Sequence, residues 1–334
     1  MLTSLLARAS GTLFCLGLLL VATVSSLVFG HIPVSLDMLT ASLIDYDPGS
    51  LEHLVVRTER FSRTITALIV GAGLAIAGVL MQTLTRNPLA SPGILGINAG
   101  AMFFVVLGDP LLSLSSPSEL VWMAFIGAAT AAFLVYFLGQ EAGRGISPVR
   151  TVLAGVTVTA LFVSFAQGLL IFNQDRFESI LFWLAGSVSG RELNAILPLL
   201  PMFGLALLVA LLLSRQLNLL GLDDEVTRGL GLRVGQVRLL TGLVVIVLAG
   251  TSIAVAGLIG FVGLIVPHIA RGIFGTDHRW LLPMSAILGA TLMLAADTVA
   301  RMIIPPQEVP VGVMTALLGT PLFLHLARHV RKVS

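Results

Sequence analysis

The sequence predicts an all-α polytopic membrane protein with ten transmembrane helices and an inverted internal repeat. Of its 334 residues, 56% are hydrophobic and only 11% are charged, whereas soluble domains carry about 25% charged residues. Apolar runs of about 20 residues, the length that crosses a bilayer as a helix, recur along the whole chain. A similarity between the two halves, described below, predicts the repeat.

The apolar runs predict ten spans within one transmembrane domain, residues 1–334. The first run follows Arg8 and lacks the small-residue cleavage site of a signal peptide, so we interpret it as a helix. Two spans, 93–107 and 260–273, are short for a bilayer. The predicted spans are 11–30, 62–83, 93–107, 119–138, 149–171, 192–214, 238–258, 260–273, 280–299 and 310–328.

Basic residues predict the orientation. Most of the 19 Lys and Arg residues fall in inside loops if the N-terminus is cytoplasmic, and with an even number of spans the C-terminus is then cytoplasmic too. Four arginines oppose this trend at the outer ends of the second and ninth spans. They either meet acidic groups of a docking protein or pair locally with Glu59 and Asp297. The four are Arg57, Arg60, Arg63 and Arg301.

The two halves share a sequence pattern at an offset of 179 residues. Gly71–Leu80 aligns with Gly250–Ile259, and four of the aligned pairs are identical. Extended without a gap, "RNPLASPGILG" meets "IVPHIARGIFG", which pairs Pro88 with Pro267. The half-repeats, about 62–171 and 238–328, enter the membrane from opposite sides, as in many transporters. Chance similarity between Gly/Ala-rich helices is the alternative interpretation.

The longest inside loop, 215–238, predicts a folded segment. Asp223 opens a short amphipathic helix, Asp224 and Glu225 lie in its first turn, and Gly229 and Gly231 end it. Re-entry into the membrane requires no such helix. The segment is therefore either a partner surface or a solvated connector.

Small and polar residues share one face of the fifth span. This face either lines a pathway or packs closely against another helix. Its members are Thr157, Ala160, Ser164, Gln167 and Gly168.

Several classes of site are excluded by residue usage. Cys15 is the only cysteine, which excludes an internal disulfide and a cysteine-built metal site. The only lysine is Lys332, so the chain has no GxxxxGK[ST] phosphate-binding loop. His325 and His329 lack a third ligand and are interpreted as a surface pair. We predict no catalytic or metal residue, no enzyme activity and no nucleic-acid partner, and any ATPase must be another polypeptide.

Three segments resemble one family. "RFSRTITALIVGAGLAIAGVLMQTLTRNPLASPGILGINAGA", "GLIGFVGLIVPHIARGIFGTDHRWLLP" and "LAADTVAR…VPVGVMTALLGTPLFL" are similar to the permease subunits of type II ABC importers for iron chelates and cobalamin. The resemblance runs from about Arg57 to the C-terminus. It implies a bacterial inner-membrane permease that works as a homodimer or as a heterodimer with a homologous permease. Two ATPase subunits, which bind ATP and Mg²⁺, and a periplasmic binding protein complete the assembly, and this chain holds no cofactor.

The same resemblance implies roles for individual residues. Arg60, Arg63 and Arg301 match positions that receive acidic residues of the binding protein. The gate lies at the start of the fifth span, whose polar face lines the path. Gate and path residues are Ser147, Pro148, Val149, Thr157, Ser164 and Gln167. Residues of the ATPase-coupling segment are Asp223, Asp224, Glu225, Arg228, Gly229 and Gly231.

The expected cargo is a ferric siderophore, moved by alternating access without a tight site in the membrane. The alternatives are the same machinery carrying haem, cobalamin or an oxyanion. Pro148 and Val149 stand where the cobalamin branch has small hydroxylated residues, which disfavours cobalamin. A proton- or sodium-coupled carrier would need an ionisable residue near the middle of a span, and the inverted repeat disfavours a purely structural subunit.

Overall fold

The computed structural model describes residues 5–30, 32, 34–112, 116–141, 145–146, 148–172, 183–191, 193–222, 224–305 and 307–330. Over these residues the chain is almost entirely helical, which confirms the predicted all-α class. The exception is a pair of two-residue antiparallel strands, Gln140–Glu141 and Gly145–Ile146. A π-helical turn spans Val56–Arg60, and 3-10 turns span Pro92–Leu95 and Leu197–Leu199.

We number the α-helices in chain order. They are α1 Leu5–Val28, α2 Leu36–Ile44, α3 Leu51–Val55, α4 Phe61–Thr85, α5 Ile97–Leu112, α6 Pro117–Leu138, α7 Pro148–Phe172, α8 Leu193–Ile196, α9 Leu200–Leu212, α10 Ser214–Leu220, α11 Asp224–Gly229, α12 Val234–Ala256, α13 Val262–Phe274, α14 His278–Met302 and α15 Val311–Val330.

The predicted spans coincide with helices, with boundaries that differ by a few residues. Seven helical stretches among the described residues are long and apolar enough to cross a membrane. Three shorter apolar helices, Ile97–Gly108, Val262–Phe274 and Val311–Leu324, accompany them. The chain is therefore a multi-pass membrane protein, and ten crossings stay a prediction.

Helix α4 lies at the centre of the bundle, where it packs against α12, α13 and α14. Glycines allow these close approaches. A Cβ atom on Gly71 would overlap the carbonyl oxygen of Gly289, and one on Gly78 would overlap the carbonyl oxygen of Gly263. Small residues that let helix backbones meet are the usual means of packing in membranes, where lipid removes most of the hydrophobic drive for helix association.

We expect Gly78→Ala to destabilise the fold, because the new methyl group forces α4 and α13 apart. Overpacking of this kind costs about 1–3 kcal/mol. Gly242→Ala on α12 is the matched control, since a Cβ atom there meets nothing within 4 Å, and it should be neutral or slightly stabilising. The buried thiol of Cys15 provides the readout, as a fluorogenic thiol reagent labels it on thermal unfolding. Equal midpoints for the two variants would contradict the close packing.

The structure corrects the ungapped extension of the repeat. Pro88 lies in the connector 86–96 between α4 and α5, whereas Pro267 lies inside α13. Gly96 precedes a helix and Gly275 follows one, although both have positive φ. The second half breaks at residues 257–261 instead. This connector is shorter than 86–96, so an alignment without a gap loses register beyond the paired helices.

Candidate functional site

The inside segment folds as a short helix that ends near glycine, as predicted. Helix α11 covers Asp224–Gly229, and Gly231 has a φ of 82°, a left-handed conformation that glycine adopts without strain. Asp223 lies outside the described residues, as do the side chains of Asp224, Glu225 and Arg228.

One face of this segment is apolar and exposed. Leu222, Val226 and Leu230, spaced four residues apart, are 45%, 53% and 61% exposed. Thr227 points inward, and its hydroxyl donates to the carbonyl oxygen of Leu219 over 3.1 Å. The backbone N–H of Leu230 donates to the carbonyl oxygen of Val226 over 3.1 Å, so these two side chains lie about one helical turn apart. Exposed apolar side chains that lie close together are typical of a protein interaction surface. We call these three residues the apolar stripe.

Arg86 joins this segment to the central helix. It follows the last residue of α4, and its Nε and Nη2 donate to the carbonyl oxygens of Leu220 and Leu222 over 3.2 and 2.5 Å. Leu220 is the last residue of α10, where helix carbonyls lack intrahelical donors, and Leu222 lies two residues beyond it. The segment that carries the apolar stripe is thereby hydrogen-bonded to the end of α4.

A second polar connection links α10 to α14. Asn218 donates from Nδ2 to Asp277 Oδ1 over 2.7 Å, and its Oδ1 accepts the backbone N–H of His278 over 2.8 Å. The His278 ring also lies 2.7 Å from the hydroxyl of Thr83 on α4. Partial burial acts to raise the pKa of Asp277, but hydrogen bonds from Asn218 and the Arg279 backbone hold it below its ordinary value.

At the end of the bundle that is predicted to face outward, a buried ion cluster joins the two halves. Arg63 on α4 donates from Nη2 to Asp297 on α14 over 2.8 Å and from Nη1 to Glu308 over 2.8 Å. Arg301 Nη2 lies 3.2 Å from Asp297 Oδ2. Arg63 is 3% exposed and Asp297 is 1% exposed. We call these four residues the outer ion cluster.

Two arginines close the C-terminal end of α1. Arg60 Nη1 donates to the carbonyl oxygens of Leu27 and Val28 over 2.6 Å each. Arg301 Nη1 donates to those of Ser26 and Phe29 over 3.2 and 3.1 Å. A cation suits this end of a helix because its free carbonyls carry partial negative charge.

The outer arginines predicted for docking are thus placed inside the protein. Arg60, Arg63 and Arg301 are all buried, and the local pairing of Arg301 with Asp297 is confirmed. Docking of acidic partner residues on these three side chains stays a prediction. Arg57, by contrast, is exposed and lies 4.5 Å from the centre of the Tyr46 ring.

The predicted path residues share an exposed face of α7. Thr157, Ser164 and Gln167 are exposed, as is Val149 at 69%. Ser147 and the side chain of Pro148 lie outside the described residues. Within a single chain no described helix covers this face, so close packing inside one chain does not explain its small and polar residues.

Sequence reasoning missed Glu308, Asn218 and His278. Glu308 lies 245 residues from Arg63, its partner, and no spacing rule relates positions so far apart. Asn218 lies in a short helix whose contact with α14 depends on the tertiary fold. Among the residues that the structure describes, no group of three His, Cys, Asp or Glu side chains could hold a metal ion.

The fold and these sites define a polytopic membrane protein with a folded inner segment that presents an apolar surface. The chain belongs to the FecCD transport family, whose family model matches residues 18–329. It is 45% identical over 316 residues to the "Probable siderophore transport system permease protein YfiZ" of Bacillus subtilis, a match that covers 95% of each chain. It is 41% identical over 313 residues to the ferric enterobactin transport system permease protein FepD of Escherichia coli, covering 93% of this chain and 92% of FepD.

Solved structures agree with this assignment. A metal-chelate type ABC transporter in an inward-facing conformation superposes with a TM-score of 0.84 at 32% identity, covering 95% of this chain and 98% of its own. PsaBC of Streptococcus pneumoniae has a TM-score of 0.53 at 19% identity and covers 79% of this chain and 89% of its own. The second likeness concerns the fold alone.

Proposed function

We propose that this chain is the membrane-spanning permease of an ABC importer that moves a ferric siderophore from a periplasmic binding protein into the cytoplasm. The observation that carries the proposal is the apolar stripe on the inner segment, in a chain of the FecCD transport family. The stripe is a surface for a separate ATPase subunit. That subunit binds ATP and Mg²⁺ and hydrolyses the nucleotide, whereas this chain holds no cofactor and is not an enzyme.

The relatives support an iron chelate as cargo. Curated permeases at 41–45% identity are named for a siderophore and for ferric enterobactin, and one at 43% identity is named for Fe(3+)-citrate. The second candidate cargo is haem or cobalamin on the same machinery. Pro148 and Val149 at the gate disfavour cobalamin, because they offer no hydroxyl groups.

The proposed architecture has ten spans, an inverted repeat and both termini in the cytoplasm of a bacterium. The helix contacts support the repeat. In the first half α5 packs against α6 and α7, and in the second half α13 packs against α14 and α15. Across the halves α4 packs against α14, and α12 packs against α6. This pattern is unchanged when the two halves are exchanged, as a pseudo-two-fold axis requires.

A second permease, identical or homologous, covers the exposed face of α7 in this proposal. The translocation path then runs between the two copies. Its wall carries Thr157, Ser164 and Gln167, and its gate carries Ser147, Pro148 and Val149. Support comes from the exposure of this polar face in a single chain.

Coupling begins at the inner segment, residues 215–238. When the ATPases close on ATP, they move α11, and two connections carry the displacement into both halves. The hydrogen bonds of Arg86 transmit the displacement to the end of α4, and those of Asn218 transmit it to the start of α14. The residues assigned to this segment are Asp223, Asp224, Glu225, Arg228, Gly229 and Gly231.

The binding protein docks at the outer side in this proposal, with acids directed to Arg60, Arg63 and Arg301. Because these side chains are buried, docking requires an exchange of partners. Glu308 is the candidate to be displaced, since it is 23% exposed where it pairs with Arg63. A carboxylate of the binding protein then replaces that of Glu308.

Reconstitution tests the function. The permease, its ATPase and its binding protein are placed in liposomes, and uptake of a ⁵⁵Fe-labelled ferric siderophore is measured with and without ATP. We expect uptake that requires ATP and persists when ionophores collapse the proton and sodium gradients. ATP-driven uptake of haem or cobalamin without siderophore uptake would refute the cargo. Gradient-driven uptake without ATP would refute the class.

A further inference from the structure

Arg191 differs from the other arginines near the outer ion cluster, because no described carboxylate pairs with it. It follows the loop 186–190 at the end of the bundle that is predicted to face outward, and it is partly exposed. Among the residues that the structure describes, its side chain makes one hydrogen bond, from Nε to the carbonyl oxygen of Ser187 over 3.3 Å. The two Nη groups are left for a carboxylate, which guanidinium binds through two parallel hydrogen bonds.

The three buried arginines nearby have partners within the chain. Arg63 and Arg301 share the outer ion cluster, and Arg60 donates to carbonyl oxygens at the end of α1. A guanidinium that is taken out of water without a counter-charge is costly. Burial accordingly lowers the pKa of Arg191 below its ordinary value, and no described carboxylate lies close enough to offset this effect. A carboxylate supplied by a partner would reduce the cost.

The backbone that carries Arg191 is hydrogen-bonded to both halves of the chain. The N–H of Ser187 donates to the carbonyl oxygen of Ala256, the last residue of α12, over 2.8 Å. The carbonyl oxygen one residue earlier accepts the N–H of Gly312 in α15 over 3.1 Å. The hydroxyl of Ser62 on α4 donates to the carbonyl oxygen of Arg191 itself. A position that is fixed before binding lowers the entropy lost when a partner docks.

A concave surface adjoins Arg191. A cavity of about 400 Å³ is lined by Ser187, Ser189, Gln307, Glu308, Val309 and Pro310. Because Ser187 also accepts the hydrogen bond from Arg191, the arginine lies next to this cavity. Four of the six lining residues are polar, which fits a polar side chain of a protein partner better than the acyl chain of a lipid.

On the basis of the function proposed above, we propose that Arg191 receives a carboxylate of the periplasmic binding protein. This carboxylate enters beside the cavity and pairs with the two Nη groups. Docking on the three buried arginines requires an exchange of partners, whereas pairing with Arg191 breaks no described ion pair. Arg191 is therefore engaged before any displacement of Glu308.

Surface plasmon resonance measures this docking without transport. The complex of permease and ATPase is held in nanodiscs without nucleotide, and its cargo-free binding protein is the analyte. Arg191→Gln removes the charge, whereas Arg191→Lys keeps the charge without the planar fork. Arg57→Gln is the matched control, because it removes the same charge from an exposed outer position. Labelling of Cys15 during heating measures the unfolding midpoint of each variant.

We expect Arg191→Gln to weaken docking about 30-fold, since breaking a desolvated charge pair costs about 2 kcal/mol or more. Docking of this variant should also depend less on salt. Arg191→Lys should have an intermediate affinity, Arg57→Gln should bind as the wild type does, and all three should keep the wild-type midpoint.

Three results would overturn the proposal. Arg191→Gln could dock with wild-type affinity, and a lowered midpoint would then show that the guanidinium is neutralised within the chain. Arg57→Gln could weaken docking as much as Arg191→Gln does, in which case the effect is one of overall charge. If the wild-type complex does not bind its binding protein at all, the proposed function fails, and the role of Arg191 fails with it.

Discussion

Replacing Asp297 with alanine is expected to remove about 3–5 kcal/mol of folding free energy, the usual effect of breaking a buried ion pair. Asp297 is the carboxylate shared by Arg63 and Arg301 in the outer ion cluster. Its loss leaves two buried guanidinium groups with one carboxylate, Glu308, between them. Labelling of Cys15 by a fluorogenic thiol reagent during heating measures the change in the unfolding midpoint.

Two variants make this test specific. Asp45→Asn removes a carboxylate from an exposed outer position and should leave the midpoint within error. Glu308→Gln keeps a hydrogen-bond acceptor for Arg63 at a partly exposed position and should have a smaller effect than Asp297→Ala. If Asp297→Ala unfolds at the wild-type temperature, the outer ion cluster does not hold α4 to α14.

We expect Val226→Glu to abolish ATP-dependent uptake without unfolding the permease. Val226 is the central member of the apolar stripe and is 53% exposed, so a carboxylate there stays hydrated in the free protein. In the assembled transporter it would be buried against the ATPase. A central interface residue contributes about 2 kcal/mol or more, which predicts roughly a 30-fold weaker association.

Association of the purified ATPase with the permease in nanodiscs measures this effect. Gln140→Glu adds the same charge at an exposed position outside the inner segment and should leave association unchanged. Val226→Leu keeps the side chain apolar and should retain uptake. If Val226→Glu associates with the ATPase as tightly as the wild type does, the apolar stripe is not part of the interface. The cargo assignment would be unaffected by this result.

The helices could be predicted because one physical rule governs them. A bilayer requires about 20 apolar residues per crossing, and this requirement is visible in any single window of the sequence. Helix α7, predicted at 149–171, is observed at Pro148–Phe172. The inner helix α11 could also be predicted from the sequence, because Gly229 and Gly231 mark its C-terminal end.

The sites were harder to predict, because they depend on pairs that only the fold brings together. Four outer arginines were visible in the sequence as exceptions to the charge rule. Whether they face solvent depends on the end of α1, whose carbonyls accept hydrogen bonds from Arg60 and Arg301. Local spacing offered the pair of Asp297 with Arg301, four residues apart, as one of two interpretations, but it gave no sign of the pair of Arg63 with Glu308. The inverted repeat stays a prediction, and its ungapped alignment does not hold in the connectors, whose lengths differ.

If solute passes along α7 as proposed, the hydroxyl groups of this helix determine how tightly it is held. Thr157 donates its hydroxyl hydrogen to the carbonyl oxygen of Leu153 over 2.9 Å, and Ser164 donates to that of Ala160 over 2.8 Å. Both donors are thus occupied within the helix, and each side chain offers a passing molecule only lone pairs. In that path, an oxygen-rich solute would meet few hydrogen-bond donors on this face of α7 and would bind to it only weakly. In the proposed translocation path, the polar face of α7 is therefore expected to hydrate the path without forming a second binding site.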